Sequence, residues 1–155
     1  MNALADKLME LCNGNTEAAD FISQIWTFFI VWDDAVDGDK RKPVDTINSA
    51  MLWALFGLHD SKFYREHVAT LRPAIMQAIS SWLVANKFEK SGDESKVEQA
   101  YFMRCAPYEL FSTVVLLAGG FQQQLKAVEF FRSMAPEDTL FKYKLEHQNG
   151  LAEHA

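Results

Sequence analysis

Three aspartates stand together in the run Asp33-Asp34-Ala35-Val36-Asp37. On a helix Asp33 and Asp37 are i, i+4 neighbours and Asp34 and Asp37 are i, i+3, so the carboxylates converge on one side. Local stability does not account for them. Like charges repel at this spacing, and a helix dipole disfavours anions in the last turn, each effect costing about 0.3–1 kcal/mol. Asp33 also continues the stripe Ile22, Trp26, Phe29, so its carboxylate leaves an apolar face. Carboxylates at the rim of an apolar cavity are how proteins hold Mg²⁺ through one or two oxygens, leaving other positions for phosphate. Asp33, Asp34 and Asp37 are therefore the expected metal ligands. The plain alternative is a solvated helix end, because Asp37-Gly38-Asp39 is also good turn chemistry.

The motif, closing an aromatic-rich helix, resembles the DDxxD motif of class I terpenoid and isoprenyl diphosphate synthases. The resemblance implies an all-α fold in which the aspartates bind Mg²⁺, and Mg²⁺ grips a substrate diphosphate and promotes its departure. By the same resemblance Trp26, Phe29 and Trp32 would line the pocket that shields the carbocation, through cation–π attraction. Tyr101-Phe102-Met103-Arg104 resembles the family's later helix with an Arg near the diphosphate, which makes Arg104 a diphosphate candidate. The family's second metal motif is absent, and chains of that family usually run to about twice this length. The nearest substitute is Asp93, Glu94 and Glu98, with Glu94 and Glu98 at i, i+4. No catalytic residue is assigned.

Other constellations are less complete. Asp33 to Val44 has the Asp and Gly of a calcium loop at positions 1, 5, 6 and 7, but Ala35 and Val44 stand where ligands are needed. His59-Asp60 and His67 lack the upstream His of a metal phosphohydrolase; Asp60 reads better as a helix cap. Arg65, Arg72 and Arg104 are forks suited to phosphate oxygens, though single helical arginines are more often solvated.

These residues need helices to position them, and the periodicity is helical almost throughout. Leu4, Leu8 and Leu11 mark a short first helix ending at Asn13-Gly14. Thr16 is the expected cap of a central helix, about residues 17–37, apolar nearly all round and stopped by Gly38. Pro43 and Asp45 open the next, with Ile47, Met51, Leu55 and Leu58 as its buried stripe. A longer helix follows Asp60 or Ser61 through Leu71, Ile75, Ile79 and Trp82, with Pro73 predicting a kink or restart near Thr70. Ser95 and Glu98 read as a capping box. Pro107 interrupts, and Gly119-Gly120 stops the helix before Phe121, Leu125, Val128 and Phe131 mark another. A short polar helix after Pro136 and a frayed tail, the last 15 residues or so, complete the expectation. The reading is one all-α domain over residues 1–155, a compact bundle of six to eight helices around residues 17–37.

Composition narrows function further. The chain has 155 residues, 21 Asp and Glu against 15 Lys and Arg, and a net charge of −6. Nucleic-acid affinity comes from clustered Lys and Arg, and the densest run, Lys40-Arg41-Lys42, is flanked by aspartates, so no nucleic-acid partner is expected. Uncharged stretches of 12 and 16 residues fall short of the ~20 a membrane span needs. Two cysteines without metal-ligand spacing, and no signal core at the N-terminus, suggest a reduced cytoplasmic protein. The 12 Phe and 4 Trp exceed what a minimal core requires. The leading expectation is a Mg²⁺-dependent diphosphate site of isoprenoid-synthase type, acting on a small diphosphate ligand. Its alternatives are a noncatalytic helical interaction protein with an aromatic surface, a homodimer or bound to another protein, and an all-α nucleotide pyrophosphohydrolase.

Overall fold

The computed structural model describes residues 3–38, 42–134 and 139–152, with the backbone alone for Asp37 and residues 148–152. Among them every regular element is helical: α1 (Ala3–Leu11), α2 (Thr16–Asp37), α3 (Val44–Leu52), α4 (Leu58–Asp60), α5 (Lys62–Glu66), α6 (Val68–Glu89), α7 (Glu94–Met103), α8 (Ala106–Gly119), α9 (Phe121–Met134) and α10 (Leu140–Ala152). A π-helical turn, Trp53–Gly57, joins α3 to α4, and His67 alone separates α5 from α6. With α3 and α4 counted together through the π turn, and α5 together with α6, these make eight helices in a compact all-α fold, as expected. No helix of the described residues is long and apolar enough to cross a membrane.

Local chemistry sets the boundaries. Asn13 at φ 54° and Gly14 at φ 79° turn the chain after α1. Asn15, not Thr16, then caps α2: its side chain accepts from the Ala18 amide at 3.0 Å. Gly38 ends α2 at φ 72°, a left-handed conformation that is cheap only for glycine. Ser61 caps α5. The restart expected near Thr70 falls at His67, whose φ of −117° breaks the rod before Pro73. Asp93 caps α7 by accepting from the Ser95 and Lys96 amides, so the expected Ser95–Glu98 box does not form. Pro107 sits in the first turn of α8, where its missing N–H is no loss.

The core lies between α1, α2, α6, α8 and α9. Two expected stripes are differently disposed. In α2 the first half is buried, through Phe21, Ile22 and Ile25, but Ile30 and Val36 are exposed; α8 shares the centre through Leu110, Phe111, Val114 and Val115. In α3 and the π turn the bulky stripe Ile47, Met51, Leu55 faces out. The inner face is carried by Ala50 and Trp53 together with Leu58, the one member of the expected stripe that packs on the core. Both faces carry apolar residues, and the inner one meets α2 through Trp53, whose ring stands 6.2 Å from Phe21 and 6.5 Å from Phe28. A Cβ at Gly57 would stand 2.6 Å from Trp53 Cδ1, so the glycine is what lets the indole lie along the turn.

Candidate functional site

Near the end of α2 the helix passes α6 and the start of α8, and the three leave a half-open cavity of about 140 Å³. Its walls are Trp26, Phe29, Tyr108 and Phe111; Asp33, Trp82 and Arg104 stand among its lining residues. The aromatic side is rigid by mutual packing. The Trp26 ring lies 5.2 Å from Phe111 and edge-on to Tyr108 at 6.0 Å, with Phe131 of α9 behind both. Such offset and edge-to-face pairs add about 0.5–1.5 kcal/mol each beyond area burial.

The polar side is a connected network. Trp82 Nε1 donates to Asp33 Oδ1 at 2.7 Å, and Arg104 Nη1 donates to the same oxygen at 2.8 Å. The remaining edge of the Arg104 fork is bidentate on Glu89: Nε to Oε1 and Nη2 to Oε2, both at 2.7 Å. Tyr143 of α10 donates its hydroxyl to Glu89 Oε1, and His147 Nε2 lies 4.0 Å from that oxygen. Glu89 is only 7% exposed. Burial raises its pKa, but the hydrogen bonds from Arg104 and Tyr143 outweigh it and hold the carboxyl below its ordinary range. Burial lowers the pKa of Arg104, and Glu89 and Asp33 more than offset that, so the guanidinium stays charged. Tyr143 is pushed above the usual phenol range, first by burial and then by the Glu89 carboxylate.

The sequence-level site divides. Asp33, Arg104, Trp26 and Phe29 converge on one cavity although they come from α2 and from the turn before α8. Trp32 does not line it; its ring packs on Trp82 at 5.1 Å and on Phe28 at 5.6 Å, behind the wall. Asp34 turns toward Lys42, 2.9 Å away, in an ion pair without a hydrogen bond's alignment. The Asp37 side chain lies outside the described residues. Glu94 and Glu98 are exposed on α7 and both meet Lys144 of α10, at 2.7 and 3.5 Å. Arg65 donates to the backbone carbonyls of His59 and Asp60, away from the cavity.

The described residues bring basic and indole donors, not further carboxylates, to Asp33. Asp33 Oδ1 already takes two donors, Arg104 stands between Asp33 and Glu89, and no three metal-ligating side chains converge among them. Two free cysteines, Cys12 and Cys105, are buried elsewhere; burial pushes the Cys12 thiol up to about 11.

Trp82, Glu89 and Tyr143 went unrecognised in the sequence. Glu89 had a readable signal: it ends the buried stripe Leu71, Ala78, Trp82, Ala85 of α6, just as Asp33 ends that of α2. Tyr143 had none, since nothing local shows that α10 folds back on α7. No protein-family model, curated protein or solved structure matches this chain.

Proposed function

We propose that this chain is a noncatalytic helical binding protein whose cavity takes a small organic cation, an amine or quaternary ammonium on a flat or compact apolar body. The observation that carries this reading is the pairing of an aromatic cage with a carboxylate that stays accessible. Trp26, Phe29 and Tyr108 line one side, with the fully buried Phe111 packed behind them, and the Asp33 side chain, 44% exposed, stands on the other. A cation over an aromatic face gains about 0.5–2 kcal/mol, most when it is desolvated. The charges agree in sign: Asp33 and Glu89 share one Arg104, so the cluster keeps one net negative charge. A cavity of 140 Å³ is close to the ~150 Å³ that houses a single benzene ring, so the bound group has about six to eight heavy atoms.

The expectation of a Mg²⁺–diphosphate site, with an isoprenoid-type substrate, draws on the same Asp33 and Arg104 and requires an anionic ligand that depends on metal. Asp34 is taken up by Lys42 and Asp33 shares Arg104 with Glu89, so the pair is less free to hold a metal while the Asp33–Arg104–Glu89 cluster keeps its one negative charge.

One titration separates them. Thermal melting is followed with benzylamine, tetramethylammonium, benzoate, and pyrophosphate with and without Mg²⁺. At ten times Kd, linkage gives about 1.4 kcal/mol, or about 3–6 °C for a domain of this size. The ammonium ligands should raise Tm in the wild type and not in Asp33→Asn. A rise with Mg²⁺ and pyrophosphate alone would replace this reading by the metal one.

A further inference from the structure

The outer face of α3 and the π turn carries six exposed apolar side chains: Val44, Ile47, Met51, Leu52, Leu55 and Phe56. Leu55 is 65% exposed and Phe56 62%. They recur at helical spacing, so they form one stripe along about three turns and not a scatter of single residues. Isolated exposed leucines need no explanation, but a contiguous patch beyond a few hundred Å² marks a contact surface.

We propose that this stripe is the interface of a symmetric homodimer, two copies pairing α3 and its π turn antiparallel about a two-fold axis near Leu52. Two features select a second copy as occupant. The first is charge. From Thr46 to Leu58 the sequence carries no ionisable side chain, in a chain whose net charge is −6. Two such chains repel over most of their surfaces, and this uncharged face is where close approach costs least. A surface built for a different protein is normally marked by several charges that choose and orient that partner, and between Val44 and Phe56, Asp45, at the stripe's end, is the single ionisable side chain. The second is area. At about 100 Å² of exposed apolar surface each, the six side chains offer about 600 Å², which with a polar rim approaches the ~800 Å² per partner of a stable interface. An isologous contact doubles the patch against itself: the Val44–Ile47 end of one copy covers the Leu55–Phe56 end of the other. The exposed apolar rows on other helices are shorter: Phe121, Leu125 and Val128 on α9, flanked by Lys126 and Glu129, and Phe141 and Leu145 on α10.

Sedimentation equilibrium tests the proposal on the full chain. The wild type should sediment at twice 17.7 kDa at micromolar concentration, and Leu55→Lys with Phe56→Lys should sediment at 17.7 kDa with unchanged far-UV circular dichroism. Leu52→Cys supplies an independent readout, because the native Cys12 and Cys105 are buried. On mild oxidation it should give a disulfide-linked dimer at a rate at least tenfold above Gln122→Cys on α9. A wild type that stays monomeric at 100 µM overturns the proposal. So does a dimer that survives the double lysine substitution, or equal cross-linking at positions 52 and 122; either would move the contact to another face.

Discussion

Arg104 Nη1 lies 2.8 Å from Asp33 Oδ1 across 71 residues of chain, and the same guanidinium grips Glu89 with its other edge. One side chain thus ties the end of α2 to the end of α6, from a position in the turn between α7 and α8. Because Glu89 is buried, removing Arg104 leaves an uncompensated carboxylate in a low-dielectric site. Breaking a buried pair from one side costs about 3–5 kcal/mol. Arg104→Ala should lose stability of that order in urea denaturation at pH 7. Arg104→Lys should recover only part, since an ammonium cannot span both carboxylates bidentately. A loss under about 1 kcal/mol for the alanine variant would mean that Glu89 is solvated when Arg104 is gone.

The same pair sets the acid limb of stability. The folded-state pKa of Glu89 is depressed, so its contribution is fully present above the unfolded value of 4.5 and is lost as pH falls through the folded pKa. The wild type should therefore lose stability steadily below about pH 4.5, and Glu89→Gln should show a shallower slope over that range from a lower starting stability. Urea titrations at half-unit steps between pH 7 and 3 measure both slopes. Parallel slopes would assign the acid sensitivity to other carboxylates.

Tyr143 gives the complementary alkaline limb. Its folded-state pKa is raised above 10.0, so folding stability holds below the unfolded value and declines as pH rises beyond it toward the folded one. Ultraviolet titration should show a phenolate forming above the usual phenol range, and Tyr143→Phe should remove that late step. An unchanged late step in the variant would place it on another tyrosine.

Much of this architecture was legible because it rests on local signals. Gly38, Pro107 and the Gly119-Gly120 stop act through their own φ and missing N–H, and no distant residue can overrule them. The convergence of Asp33 and Arg104 was legible in part, because Asp33 leaves an apolar stripe of its own helix. What stayed hidden was decided by faces. Both sides of the segment from Val44 to Leu58 carry apolar residues at helical spacing, and only packing against α2 selects Ala50 and Trp53 for the inside. Trp32 was misplaced for the same reason: one residue before Asp33, it points about a quarter-turn away, toward Trp82. The partners Glu89 and Tyr143 lie 15 and 54 residues apart from the groups they bind, beyond the reach of any spacing rule.

Trp82 offers the sharpest separation of packing from polar function at the cavity. Its ring packs on Trp32 at 5.1 Å while its Nε1 donates to Asp33 at 2.7 Å, so the residue holds both the wall and the carboxylate's orientation. Trp82→Phe keeps an aromatic ring and removes the donor. A hydrogen bond to a charged group contributes about 1.5–3 kcal/mol, and Arg104 still holds Asp33, so the expected stability loss is toward the lower end. The effect on ligand should be larger than the effect on fold, because Asp33 loses one of the two anchors that aim it at the cavity. Affinity for an ammonium ligand should fall about three- to tenfold by calorimetry, against at least a hundredfold at saturating probe for Asp33→Asn, which removes the charge itself. Equal losses in the two variants would show that aim counts for as much as charge. An unchanged affinity in Trp82→Phe would show that Arg104 alone positions the carboxylate.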